Sequence, residues 1–253
     1  MHGVQALLRG LHLLRIVAES EPEGIALSDA AELANVSRPT AHRLLGALLQ
    51  EDFVDQPVAR GPYRLGRQMA ALVQPAHHRI DWHAVTDDVM QQLASDIQDV
   101  VLFAIRAGSR TLVISRIEGQ FPVRTHVVNA GDRHPPGVGT AWIAMMARMP
   151  DDEIDSLLRE DSRRRVDFPR FSDTLVRRLI SEARSQGYAL NQGLIFKGAW
   201  AMGVPVLNGQ GQPIAAISIA AIAERLADKR RSQLLPRLME AAERVSERIG
   251  KTT

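Results

Sequence analysis

One stretch near the amino end constrains the fold more than any other, because two helix-forming segments flank a turn of only two residues. Residues 29–34 and 38–50 carry apolar side chains at three- and four-residue steps, which predicts two amphipathic helices. Ser28 and Ser37 are predicted to cap these helices, and Pro39 falls in the first turn of the second, where its missing N–H costs no hydrogen bond. The pattern predicts a helix-turn-helix.

Charge is distributed unevenly around this pattern, although the whole chain is nearly balanced at +2. Residues 33–50 and 56–80 contain no Asp or Glu. The exposed face of the second helix is predicted to carry Arg38, Thr40 and Arg43, together with His42. A solvated helix face alone would explain two arginines. The helix-turn-helix context favours a surface that contacts phosphate, because each neutralised phosphate releases condensed counterions.

A short hairpin is predicted directly after the second helix. Phe53-Val54 and Tyr63–Leu65 are its two strands, and Arg60 lies near its tip. A hairpin in this position is the wing of a winged helix-turn-helix, whose helix enters the major groove of duplex DNA. The first third of the chain is therefore predicted to form a DNA-binding module.

Several classes of site are excluded by composition. The chain has no cysteine, which rules out disulfides and thiolate zinc sites and indicates a reducing cytoplasm. The amino end lacks the features of a secretory signal, and the longest apolar run, residues 214–223, is about half of what a membrane-spanning helix needs. His77, His78 and His83 give only a weak metal signal without matching carboxylates. We expect no cofactor, no metal and no contact with a membrane.

Catalysis finds little support in the sequence, since no nucleophile elbow, zinc-protease pair or dinucleotide fingerprint occurs. Beyond residue 84, short β-branched runs alternate with helical patterns, which predicts an α+β domain with a central antiparallel sheet. Strands are predicted at residues 100–105, 111–116, 123–128, 202–207 and 214–220. Helices are predicted at residues 85–96, 140–148, 152–160, 172–186 and 231–249.

Four motifs carry a resemblance to a known family. The run LSDAAELANVSRPTAHRLLGALLQEDFVDQ, with the later YRLG, resembles the winged helix-turn-helix of the IclR family of bacterial transcriptional regulators. GDRHPPGVGTAWIAMMA, RSQGYALNQG and GVPVLNGQGQPIAAISIAA are similar to the effector-binding domain of that family, although Ile143 stands where many members have lysine. The resemblance implies a winged helix-turn-helix at residues 1–66, a linker helix at 67–84 and a GAF-like effector-binding domain at 85–253.

Two sets of site residues are expected on this basis. The expected DNA-binding residues are Ser37, Arg38, Thr40, His42, Arg43, Arg60 and Arg64. The expected effector-binding residues are Gly139, Thr140, Ala141, Asn191, Ala199, Ala201, Ser218 and Ala220. Family members that bind small oxo-acids carry more polar groups at several of these positions. The resemblance therefore implies an effector with an apolar or aromatic body and one carboxylate or hydroxyl.

The expected function is a ligand-responsive repressor of a catabolic operon, not an enzyme, located in the cytoplasm. Its partners would be an operator in double-stranded DNA and a small organic effector, and it would act as a homodimer or homotetramer. A different hypothesis is a small-molecule-binding or catalytic sensor whose amino-terminal module contacts another protein. Loss of DNA binding without loss of effector binding on Arg43→Ala would favour the first hypothesis.

Three local alternatives stay open. The two glycines of residues 135–140 either leave N–H groups free for an anion at a helix start or serve a tight turn capped by Thr140. Trp142, Phe196 and Trp200 either line a cavity or belong to the core. Residues 163–165 form an arginine run that suits a solvated or interface-pairing role better than nucleic-acid binding.

Overall fold

The computed structural model describes residues 2–58, 61–76, 80–160 and 165–252. The chain forms two compact units, Met1–Arg79 and Ile80–Thr253. Buried apolar side chains form separate cores in the two units. Each unit is therefore described by itself.

The described part of the first unit consists of helices and one small hairpin. Its elements are α1 (His2–Glu19), α2 (Leu27–Leu33), α3 (Arg38–Gln50), β1 (Val54–Asp55), β2 (Arg64–Leu65) and α4 (Arg67–Ala76). Side chains from α1, α2, α3 and the hairpin share one core, in which Leu13 and Leu45 are fully buried. The predicted winged helix-turn-helix is confirmed.

The turn between α2 and α3 forms as its residue types predict. Asn35 adopts a left-handed conformation with φ of 51°, which a short polar side chain tolerates. Ser37 then caps α3, because its side-chain oxygen accepts a hydrogen bond from the backbone N–H of Thr40 at 3.4 Å. Pro39 lies in the first turn of the helix. The predicted cap at Ser37 is confirmed.

The predicted cap at Ser28 is wrong. The helix begins one residue earlier, at Leu27, and the preceding Ala26 offers no side-chain cap. An isolated bridge between Ile25 and Tyr63 of the hairpin holds the chain extended up to this point, so the helix starts immediately after it. The Ser28 hydroxyl instead donates to the neighbouring Asp29 carboxylate at 2.9 Å.

The second unit is built around one sheet. Its elements are α5 (Trp82–Ile97), β3 (Val100–Ala107), β4 (Arg110–Ile117), β5 (Arg133–His134), α6 (Gly139–Met146), α7 (Asp151–Glu160), α8 (Asp173–Gln186), β6 (Ala189–Gln192), β7 (Ala199–Leu207), β8 (Pro213–Ile222), a 3₁₀ turn (Ala223–Leu226) and α9 (Asp228–Thr252). The six strands run in the order β5-β4-β3-β8-β7-β6, and every neighbouring pair is antiparallel. The predicted α+β fold with an antiparallel sheet is confirmed.

The two faces of the sheet pack against different helices, because successive side chains of a strand point to opposite faces. Val101 and Phe103 of β3 belong to the core that α5 and α9 complete. Leu102 and Ala104, which alternate with them, face a smaller apolar cluster. Helix α6 packs on β7 and β8, and α7 and α8 pack against α6.

One predicted strand is wrong and two strands were missed. Residues 123–128 form no strand, and β5 at Arg133–His134 pairs with β4 instead. Val113 of β4 already exchanges backbone hydrogen bonds with the turn just before β5, through Gly131 and Asp132, so this edge of β4 has no further place for residues 123–128. The missed strands are β5 and β6, whose two and four residues are too few to show a clear alternation.

Among the described residues, no helix combines the length and hydropathy needed to cross a membrane. In the same part of the chain, no three His, Asp or Glu side chains are arranged to hold a metal ion. His83 contacts Asp87 on the same helix at 3.2 Å, whereas His77 and His78 lie outside the described residues.

Candidate functional site

Helix α3 presents two faces of different chemistry. Ala41 and Leu45 are buried, and Leu44 and Leu48 are half-buried against the core, as the spacing predicts. The opposite face exposes the side chains of Ser37, Arg38, His42 and Arg43, with Thr40 half-buried. No acidic residue occurs between Leu33 and Gln50. The exposed face therefore carries only positive and neutral side chains.

The polar side chains on this face differ in whether they already form hydrogen bonds within the protein. The Ser37 and Thr40 hydroxyls lie 2.8 Å apart and hydrogen-bond to each other at the helix cap. By contrast, Arg38, His42 and Arg43 form no side-chain hydrogen bond or ion pair in the part of the chain that the structure describes. These three side chains are the ones available to a ligand of α3.

Arg64 lies apart from α3, on the second strand of the hairpin. It is exposed, and its guanidinium donates to the backbone carbonyl of Glu23 at 3.3 Å. The next residue, Leu65, donates its backbone N–H to the Glu21 carboxylate at 2.6 Å. These bonds tie the hairpin to the loop that follows α1. Arg60 lies outside the described residues.

The eight residues expected to contact an effector line one cavity in the second unit. They are Gly139, Thr140, Ala141, Asn191, Ala199, Ala201, Ser218 and Ala220. The first three come from the start of α6, and the others come from β6, β7 and β8. The space open to the centre of a water molecule is about 70 Å³, which indicates room for a compact or narrow ligand.

Strand register explains why these residues meet. Asn191 pairs with Ala201, which in turn pairs with Ala220. Because residues directly opposite one another share a face of the sheet, all three point to the cavity side. Gly203 of β7 pairs with Ser218, and a Cβ at this glycine would lie 2.5 Å from Ser218 Oγ and 3.3 Å from Thr140 Cβ. The missing side chain lets α6 approach the sheet closely.

The start of α6 lines the cavity and has no side-chain cap. Gly137 and Gly139 both have φ of 82°, a conformation that favours glycine. The N-cap residue is Val138, which provides no side-chain cap, so Thr140 lies inside the helix and does not cap it. First-turn N–H groups have no partner within a helix and carry the positive end of its dipole. This end of the cavity therefore suits a negative or hydrogen-bond-accepting group.

The aromatic residues near the cavity have different places. Trp142 of α6 is fully buried in the core that α6 forms with α7 and α8, and its indole N–H donates to the His134 carbonyl at 3.0 Å. Trp200 lines the cavity, and Phe196 is mostly exposed and does not line it. None of the described lining residues is Asp, Glu, Lys or Arg.

Sequence reasoning missed the part of the cavity that lies towards β5. Thr111 and Val113 of β4, His134 of β5, and Thr125 and Val128 of the loop between these strands also line it. Alternation along β4 was the available signal, but it could not say which face meets α6. Burial lowers the pKa of His134, and the Asp132 carboxylate only partly opposes this effect. The imidazole is therefore neutral at neutral pH.

One arginine of the run at residues 163–165 has a structural place. Arg165 is buried, forms an ion pair with Asp173 at the start of α8, and donates to the Leu158 carbonyl at 3.4 Å. It therefore joins α7 to α8 within the second unit. Arg163 and Arg164 lie outside the described residues.

Comparison with known proteins agrees with both halves of this description. Residues 6–57 match the IclR helix-turn-helix domain model, and residues 74–247 match the model of the bacterial transcriptional regulator IclR C-terminal domain. The HTH-type transcriptional regulator KipR of Bacillus subtilis is 25% identical over 90% of this chain and 91% of its own length. The acetate operon repressor of Salmonella typhimurium is 24% identical over 98% of this chain and 91% of its own length.

A solved structure of an IclR protein has a similar fold. The Thermotoga maritima IclR crystal structure superposes with a TM-score of 0.69 at 20% identity, covering 98% of this chain and 99% of that one. The relatives are transcriptional regulators and not enzymes. Because the carboxyl-terminal family model alone spans more than half of the sequence, the assignment does not depend on any single relative. The chain belongs to the IclR family of bacterial transcriptional regulators.

Proposed function

We propose that this regulator represses a catabolic operon by binding an operator through α3, and that a small organic effector in the cavity controls that binding. Residues 1–66 would bind DNA, 67–84 would link the domains and 85–253 would bind effector. The observation that carries the proposal is the exposed face of α3, where Arg38, His42 and Arg43 have no protein partner among the described residues. The protein would act in the cytoplasm, where the chromosome lies.

The chemistry of α3 supports contact with duplex DNA. A helix in the major groove presents its amino-terminal side chains to base edges, and arginine is well suited to guanine. Arg38 and Arg43 lie in the first half of α3, as this geometry requires. Arg60 and Arg64 of the hairpin would contact phosphate, with Ser37 and Thr40 holding the helix start in place. Repression is proposed because several relatives are named repressors.

The chemistry of the cavity supports an effector with an apolar body. Alanine, valine and leucine side chains dominate the lining, and burying a charged group there without a partner would be costly. The exception is the uncapped start of α6, where Thr140 and Ser218 both adjoin Gly203. We therefore propose an effector with an apolar or aromatic body and one carboxylate or hydroxyl at this end.

Specific binding to an operator tests the proposal. The purified full chain is expected to prefer fragments of the intergenic region beside its own gene over random duplex of equal length at low ionic strength. The affinity should fall steeply with salt, because each neutralised phosphate contributes about 0.9 to the slope of log K against log salt. Fluorescence anisotropy at several salt concentrations measures both quantities. Equal binding to every fragment would contradict the proposal.

An exposed apolar stripe on α1 supports a homodimer, or a tetramer built from two such dimers. Its four residues, Val4, Leu7, Leu8 and Leu11, are between 49% and 66% exposed. Farther along α1, Leu13, Ile16 and Val17 are buried in the core, so only the first part of the helix exposes apolar side chains in this way. A contiguous exposed apolar patch marks an interface more often than a bare surface, and two recognition helices would match two half-sites.

Charge placed on this stripe should separate the subunits. Leu7→Lys with Leu11→Lys is expected to convert dimers to monomers at micromolar concentration, because two ammonium groups would have to lose water in the interface. Sedimentation velocity measures the change in mass. Leu33→Lys is the matched control, since Leu33 is equally exposed at 63% but lies on α2. A variant with the parental mass would show that the stripe is not the interface.

A further inference from the structure

Thr111 and His134 lie together at one edge of the sheet. They are directly opposite partners on β4 and β5, so their side chains share a face, and both line the cavity. β5 is the outermost strand on this side of the sheet, and β6, which carries Asn191, is outermost on the other side. The cavity therefore has polar side chains near both edges of the sheet.

Neither polar side chain forms a hydrogen bond or ion pair within the described part of the chain. Thr111 is only 1% exposed, yet its hydroxyl forms no hydrogen bond with any described residue. The His134 ring makes an edge contact with Phe168 at 5.7 Å between centroids, and neither ring nitrogen bonds to a described group. Its backbone is held in place by the bond from Trp142. Because both side chains line the cavity, a ligand bound there can supply their hydrogen-bond partners.

The other polar group of the cavity is well separated from this pair. This group consists of Ser218 on β8, Asn191 on β6, and Thr140, which lies beside Gly203 of β7. Both ends of the cavity have a partner on β3: Leu102 pairs with Ser218 of β8, and Arg106 pairs with Thr111 of β4. Two strand spacings and four residues correspond to roughly 16 Å between the Cα atoms of Ser218 and Thr111 on a flat sheet, and curling shortens this distance.

The space between the two polar groups is apolar. Leu102 and Ala104 of β3 and Val113 of β4 line it. Arg116 of β4 offers no free charge, since it forms an ion pair with Glu118 and donates to the Thr125 carbonyl at 2.8 Å. Asp132 and Arg133 adjoin His134 in sequence and do not line the cavity. A second ionised group on the ligand would therefore have no counter-charge at this end.

We propose that Thr111 and His134 form a second polar end of the effector cavity. This end selects ligands that carry a neutral hydroxyl or carbonyl group at the end opposite their carboxylate. The inference rests on the proposed effector site. The hydroxyl and the uncharged imidazole can each donate and accept, so they match a neutral group better than a carboxylate. The ligand class is an elongated monocarboxylic acid with an apolar body and a terminal hydroxyl or carbonyl.

Calorimetric titration of the full chain with two matched pairs of acids tests this selection. The pairs are benzoate with 4-hydroxybenzoate, and 3-phenylpropanoate with 3-(4-hydroxyphenyl)propanoate, which differ in length. At least one hydroxylated acid is expected to bind roughly three- to tenfold more tightly than its parent. His134→Phe and Thr111→Val should each bring that ratio towards one with little change for the parent acid, and His134→Gln should keep most of it.

The controls separate this inference from the proposed effector site. His83→Phe should preserve the ratio, because His83 is an exposed residue of α5. Ser218→Ala should weaken both members of a pair equally. Equal binding within each pair, or a ratio that survives both His134→Phe and Thr111→Val, would overturn the second polar end and leave the effector site standing. If none of the four acids binds, the proposed effector class and this inference both fail.

Discussion

Replacing Arg38 and Arg43 together with alanine is expected to weaken operator binding by roughly two to four orders of magnitude. An arginine that contacts a guanine edge in the major groove contributes about 1–3 kcal/mol of discrimination. Both side chains are exposed and have no partner in the described part of the protein, so their loss should change the free energy of unfolding by less than about 0.5 kcal/mol. The effect should therefore lie in DNA binding alone.

Anisotropy titrations across a range of salt concentrations divide this loss into its parts. If the arginines contact phosphate, the slope of log K against log salt should fall by about one for each residue removed. If they contact bases, the preference for operator over random duplex should fall instead. Arg148→Ala is the matched control, because Arg148 is an exposed arginine of the second unit. A double variant that retains the parental affinity for its operator would exclude α3 as the recognition helix.

The winged helix-turn-helix could be predicted from sequence because its signals are local. Ser37 and Pro39 mark the start of α3, and Asn35 marks the turn, within five residues of one another. Helical spacing predicted one apolar face for this helix, and the structure buries Ala41 and Leu45 on that face. Ser28 misled the prediction because the start of α2 is set by a bridge to Tyr63, which is distant in sequence.

The cavity could be predicted only in part. The resemblance brought out eight residues of α6, β6, β7 and β8 that the structure places around one space. Thr111 and His134 escaped notice, because their place depends on the pairing of β4 with β5 and on an irregularity between Phe103 and Ala104 in the pairing of β3 with β4. Non-local pairing of this kind leaves no periodic signal, and residues 123–128 were assigned to a strand for the same reason.

A buried ion cluster is the other feature that sequence reasoning missed, and it should matter most for the stability of the second unit. The Asp99 side chain is 2% exposed and accepts hydrogen bonds from Arg225 at 2.6 and 3.1 Å and from Arg230 at 2.6 Å. Both arginines also donate to the Ile97 carbonyl at the end of α5. Arg225 further stacks on Phe121, with its guanidinium carbon 3.7 Å from the ring centroid. One carboxylate thus joins α5, the start of α9 and the loop beside the cavity.

Asp99→Ala is expected to lower the free energy of unfolding of the second unit by about 3–5 kcal/mol, because two largely buried guanidinium groups would lose their shared counter-charge. Urea unfolding followed by tryptophan fluorescence measures the change, since all three tryptophans lie in this unit. Asp96→Ala is the matched control: Asp96 is 41% exposed and lies 3.7 Å from Arg237, so it should cost at most about 1 kcal/mol. Equal, small losses in the two variants would mean that water replaces the Asp99 carboxylate without penalty, and that the cluster does not hold the second unit together.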